Sequence, residues 1–150
     1  MQNLPLSERV KVSRVLNAVA AGTTAQNGTA VDMQGYDGVM FVAMFGTLTA
    51  NQVTSLKAQQ SSDNGSADTF ADLEETGVGP LVDGDGNKCL ILDVFCPEER
   101  YVRPVVSRGT ANAVIDGVIA IQYSARERPT AHAASVAAAA TLVRPDEGTA

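Results

Sequence analysis

Ala113-Val-Ile-Asp-Gly-Val-Ile-Ala-Ile-Gln-Tyr123 is the segment on which the fold class turns. In an extended chain Ala113, Ile115, Ile119, Ile121 and Tyr123 fall on one face, with Asp116 and Gln122 on the other. β-branched residues at that spacing predict a half-buried strand, and Gly117 in its interior marks a bulge. Upstream, Lys88–Cys96 alternates in the same way: Leu90, Leu92, Val94 and Cys96 share a face and Asp93 projects from the other. Val39–Phe45 is apolar on both faces, which predicts a central strand covered on one side by a neighbouring element or subunit. Further strands are expected at Val10–Ala20, Thr29–Met33, Val53–Gln60 and Arg100–Ser107, with a weak one at Thr69–Leu73. Asn-Gly or Asp-Gly dipeptides begin at 27, 37, 64, 83, 85 and 116, and such pairs favour tight turns. Eight short strands separated by turn signals predict an all-β, antiparallel sandwich or barrel rather than βαβ units.

At 150 residues the chain can hold one domain with a real core but not two ordinary ones. Hydrophobic residues make up 45% and charged residues 19%, a balance that excludes a disordered tail and an integral membrane protein. The longest charge-free run, Gly38–Leu56, is densely apolar only over Val39–Phe45, short of the roughly 20 residues a bilayer helix needs. The N-terminal stretch lacks a basic segment followed by an apolar one, so no secretory leader is expected. Cys89 and Cys96 would lie about 23 Å apart on one extended strand, at roughly 3.3 Å per residue. They are read as free thiols in a reducing cytoplasm.

Charge is segregated. Residues 63–99 hold ten acids and one base, Lys88, for a net −9 against +3 elsewhere. This stretch reads either as solvated loops or as an acidic face that docks on a basic partner or a neighbouring copy. The overall net charge of −6 argues against binding a phosphate backbone. Arg100-Tyr-Val-Arg103 reads as a half-buried strand whose arginines pair with the acidic loops.

No motif carries catalysis. The single histidine, His132, lies in an Ala-rich tail, away from any partner for nucleophilic chemistry. Asp83-Gly-Asp-Gly-Asn87 begins like a calcium loop but places Lys88 and Val94 where Gly and Glu are required. Three scattered Cys and His residues do not make a zinc site. No enzyme activity, metal or cofactor is expected. Composition breaks at Pro129: upstream, segments alternate and carry large aliphatic residues, whereas residues 131–140 hold seven alanines. The organisation predicted is an N-terminal arm (1–8), a sandwich (9–128) and a C-terminal arm (129–150). That last segment reads either as an extended or partly helical arm lying on another chain or as a frayed tail. Leu4 and Leu6 in the first arm, with Val136, Leu142 and Val143 in the second, are the candidate partner contacts.

Four phrases, in order, resemble the capsid decoration, or cement, proteins of tailed bacteriophages. They are Val31-Asp-Met-Gln-Gly-Tyr-Asp-Gly-Val-Met-Phe-Val42, Leu56-Lys-Ala-Gln-Gln-Ser-Ser-Asp-Asn-Gly-Ser66, Glu99-Arg-Tyr-Val-Arg-Pro-Val-Val106 and the closing Ala113–Tyr123 segment. The resemblance covers about residues 9–125 and implies a jelly-roll-like β-sandwich on the outer surface of an icosahedral head. It implies the major capsid protein as partner, with self-association into dimers or trimers, in particles assembled in the host cytoplasm. Direct contact with nucleic acid or membrane is not part of that role. Two other expectations stand beside it: a tail or head–tail connector protein, and a cellular carbohydrate-binding β-sandwich, which the scarcity of aromatic residues disfavours.

Overall fold

A computed structural model of the chain describes residues 3–149; Met1, Gln2 and Ala150 of the two expected arms lie outside the described residues. Regular structure begins with one 3-10 turn, Leu6–Glu8, and continues entirely in β. The strands are β1 (Lys11–Leu16), β2 (Val19–Gly22), β3 (Gln26–Asn27), β4 (Val31–Asp32), β5 (Gly38–Leu48), β6 (Val53–Ser61), β7 (Ala71–Asp72), β8 (Cys89–Phe95), β9 (Tyr101–Gly109) and β10 (Ala113–Tyr123). One sheet runs β1-β10-β5-β8, with β2 also on β10; the other runs β3-β9-β6-β7, with β4 also on β9. Antiparallel partners are nested: β1 with β10, β3 and β4 with β9, β5 with β8, β6 with β7. The chain is therefore a long hairpin rolled up so that successive pairs alternate between two sheets, the jelly-roll arrangement.

The core is the interleaving of two alternating faces. Val39, Phe41, Ala43 and Phe45 of β5 meet Leu56 and Ala58 of β6 and Val102 and Val106 of β9, all of them buried. Two polar side chains cross between the sheets. Gln122, 1% exposed, donates from Nε2 to the Asp32 carbonyl at 2.7 Å. Arg108 reaches from β9 to the carbonyls of Thr24 (2.8 Å), Ala20 (3.0 Å) and Ala113 (2.7 Å). Gln122 thereby ties β10 to β4 across the core, and Arg108 ties β9 to the β2–β3 corner and to the start of β10.

The closing strand differs from its expected facing. Ile115 pairs with Phe45 and Gly117 with Met44, so Asp116 is an extra residue on β10, and Gly117 takes φ +145°. A one-residue insertion swaps the faces of everything beyond it. Ala113 and Ile115 point inward, but after the bulge Val118, Ala120 and Gln122 do so, leaving Ile119, Ile121 and Tyr123 on the outer side. The expected single face was wrong for those three residues.

Other boundaries moved for local reasons. Val10–Ala20 is two strands, because β1 shifts register on β10 between Arg14 and Leu16. Thr29–Met33 contracts to Val31–Asp32, and the pair Gln26–Asn27 forms a strand that had not been expected. Pro104 explains this interruption. The Gly28 N–H donates to the Pro104 carbonyl, so the face of Pro104 that lacks an N–H is turned toward β3 and β4, and no continuous ladder can form there. The Gly28–Pro104 approach is so close that a Cβ on Gly28 would lie 2.6 Å from the ring. Cys96, expected on the inner face of β8, falls beyond its end with φ +52° and is exposed.

Candidate functional site

The arms meet at one corner of the sandwich. From Thr130 the C-terminal segment runs parallel to β1 along its unpaired edge. The Thr130 N–H donates to the Glu8 carbonyl at 2.9 Å and the Ala133 N–H to that of Val12 at 3.1 Å, while the Thr130 hydroxyl donates to the Val10 carbonyl. In the opposite sense, the Val12 N–H donates to Nδ1 of His132 (3.0 Å) and the Arg14 N–H to the Ser135 hydroxyl (2.9 Å). Side chains here replace half of what a strand would offer from its backbone, so residues 130–136 act as a strap on the sheet edge. Edge strands left open are templates for foreign strands, and this strap closes one. His132 is thereby engaged as an acceptor in the strap.

At Val136 the chain turns, its N–H donating to the Ala133 carbonyl, and it returns toward the start of β1, where the hydroxyls of Thr141 and Ser7 hydrogen-bond. That bond joins the 3-10 turn that carries Leu6 to the segment that carries Leu142 and Val143. Their exposures are 63%, 73% and 76%. Leu4 and Val136 are half-buried. Of the five sequence-derived contact residues, Leu6, Leu142 and Val143 are exposed on the two segments that this bond joins, and Val136 lies at the turn that starts the returning segment.

The acidic stretch is largely occupied with its own loops. Asp63 accepts the N–H groups of Ser66, Ala67 and Asp68, which hold its carboxyl below the ordinary range, the Ala67 bond most strongly. Asp72 accepts from Lys57 and Gln59, Asp83 from the Asn51 N–H, and Asp85 from Lys88 and the Val82 N–H. Glu99 goes the other way: desolvation, then Asp68, Glu98 and Asp63, push its carboxyl up. Arg100, just before β9, and Arg103, on it, do not pair with the acidic loops as expected. Arg100 forks onto both oxygens of Asp32 on β4 (2.9 and 2.7 Å) and holds that carboxyl below its usual range. Arg103 donates twice to Gln59 Oε1 and stacks over Phe70 at 4.1 Å.

A second surface was hidden by the expected facing of β10. On the outer side of the β1-β10-β5-β8 sheet, register aligns Val12, Ile121, Met40 and Asp93 in one row and Arg14, Ile119, Val42 and Ile91 in the next. Beyond them Tyr123, Gly38 and Phe95 form a third row, in which Tyr123 lies across Gly38 to stack on Phe95, with 6.4 Å between centroids and 10° between planes. The Tyr123 hydroxyl donates to Asp93 at 2.6 Å. The dual-faced apolar pattern of Val39–Phe45 was the sequence signal for this surface.

A Cβ on Gly38 would fall 2.2 Å from the Tyr123 ring, so Gly38→Ala must expel the ring from its groove. The expected loss is about 1–2 kcal/mol, from the stack and the hydrogen bond together. Burial first, then Asp93, pushes the Tyr123 phenol from 10.0 up to about 12. Between those values the folded protein keeps a proton that the unfolded chain gives up, so this contribution makes stability fall as pH rises from 10 to about 12. Phenolate absorbance during alkaline titration checks it: Gly38→Ala should move one phenol back toward 10, and Tyr123→Phe should remove that late-titrating group altogether.

No family model matches this chain, and no curated protein aligns with it significantly.

Proposed function

We propose that this protein is a structural component of a virion that decorates the outside of an icosahedral phage capsid and binds the major capsid protein across capsomer seams. The observation that carries the reading is the corner where the arms meet. Three large apolar side chains, Leu6, Leu142 and Val143, stand in solvent on segments anchored to a rigid sandwich by the strap and the Ser7–Thr141 bond. Exposed apolar side chains gathered on an anchored arm gain free energy only by being covered. A neighbouring shell subunit, repeated over an icosahedral surface, converts modest contacts of this kind into avidity. The sequence resemblance supports the same role, with a second copy of the chain as the other partner and no cofactor. On a densely decorated particle the net charge of −6 favours solubility.

Electron microscopy of the assembly with which the native protein co-purifies tests this reading. Density for the sandwich at regular positions on the outside of an icosahedral shell is the expected result. Density within a tail or at a portal vertex would assign it to another part of the virion, and recovery with cellular glycoconjugates would remove it from virions altogether.

A further inference from the structure

The outer face of the β1-β10-β5-β8 sheet is apolar across four strands, and nothing among the described residues covers it. At its middle are Val42 and Ile119, flanked by Ile91, which is 53% exposed, and Phe95, 65% exposed. With strands about 4.8 Å apart and outward residues about 6.6 Å apart along each, the face projects to roughly 400 Å². Each partner in a stable interface gives up about 800 Å², so this face supplies the apolar centre of such an interface and its charged margins the rim. A patch of this size is comparable with the largest on an ordinary monomer, about 300–600 Å², which is often a functional surface.

We propose that this face is where two copies of the chain pack, sheet against sheet, about a two-fold axis running along the strands. The charges at its margins favour a second copy over a foreign partner. Arg14 on β1 bounds the apolar stripe at one side and Asp93 on β8 bounds it at the other, in adjacent rows. Rotation about an axis parallel to the strands lays β1 of one copy over β8 of the other. Each Arg14 then lies near Asp93 of the opposite copy, the two arginines stay far apart, and apolar rows meet in the centre. The surface is therefore complementary to itself, as an isologous interface requires. Strands related in this way run in nearly the same direction, which is the aligned class of sheet packing, with about 10 Å between the sheets. The interface is separate from the corner where the arms meet, so a dimer would present two docking corners.

Sedimentation velocity on the isolated full-length protein tests the proposal without any shell present, so its failure leaves the capsid reading untouched and the reverse also holds. The wild-type chain should sediment as a dimer at micromolar concentration. Ile91→Lys, at a half-exposed position whose change spares the core, should raise the dimer dissociation constant at least a hundredfold while far-UV circular dichroism stays unchanged. Arg14→Glu and Asp93→Arg should each weaken the dimer about tenfold, and the double exchange should recover most of the loss, which a general folding defect would not do. A monomeric wild type overturns the proposal. So does a dimer indifferent to Ile91→Lys and to the charge exchange, or a trimer, whose contacts cannot be two-fold.

Discussion

Arg108→Met should lower the stability of this protein by about 3 kcal/mol, the expected cost of removing one charged donor shared by three backbone carbonyls, one of them buried. Arg108 is 9% exposed, and its guanidinium donates to the carbonyls of Thr24, Ala20 and Ala113, which belong to the β2–β3 corner and to the first residue of β10. One side chain from the second sheet thus ties down three backbone segments around the first. Methionine reproduces the apolar stem out to about the position of Nε but offers no donors, so packing around the stem is kept while the carbonyls lose this partner. For a chain of this size a loss of that order lowers the thermal midpoint by roughly 6–12 °C. Arg108→Lys should recover only part of it, because an ammonium is a point donor and cannot fork across three acceptors. Thermal and urea unfolding of both variants measures this. A methionine variant melting within a degree or two of wild type would show that water replaces the guanidinium at no cost and that the corner is held by its neighbours.

Arg108 also shows what the sequence could convey. Its place on a strand was missed by one residue, since the expected strand, Arg100–Ser107, stops just short of it while β9 runs on to Gly109. That its side chain would enter the sandwich was not legible, because the carbonyls it serves come from segments 84, 88 and 5 residues away. Alternation reports which face a residue takes, and turn dipeptides report where a chain reverses. Those two signals were enough for eight strands in a sandwich or barrel. They were insufficient on β10, where the bulge at Gly117 was expected but its consequence for the face of Ile119, Ile121 and Tyr123 was not. Parity is a running count, and one inserted residue inverts everything after it. The error concealed the apolar outer face, since Ile119 and Ile121 had been assigned to the core. In the C-terminal arm the apolar anchors Leu142 and Val143 stood out against alanine, but the strap did not. It binds through Thr130, His132 and Ser135 side chains at irregular spacing, which leaves no period to read, and alanine's helical preference pointed elsewhere.

Two truncations should separate the strap from the distal arm. Removing residues 137–150 deletes Thr141, Leu142 and Val143 but keeps every bond between residues 130–136 and the β1 edge. Stability should change by less than about 1 kcal/mol, since the deleted side chains are solvent-exposed and surface changes of that kind are small. Shell binding should fall. Full burial of Leu142 and Val143 on a partner contributes about 1.5–3 kcal/mol each, part of which offsets the entropy of ordering the arm. The surplus corresponds to a loss of affinity on the order of 10–100-fold. Removing residues 129–150 goes further. It takes away the partners of the Val12 and Arg14 N–H groups and of the Glu8, Val10 and Val12 carbonyls. Water can replace them, so each bond lost costs only about 0.5–1.5 kcal/mol, but several are lost together and the uncovered edge is free to pair with another chain. The longer deletion should therefore melt several degrees lower and self-associate on heating, and the shorter one should do neither. Calorimetry and co-sedimentation with shells distinguish the cases. Equal stability of the two truncated forms would show that residues 130–136 merely rest on β1. Undiminished shell binding by the shorter form would move the docking site from the distal arm to the sandwich.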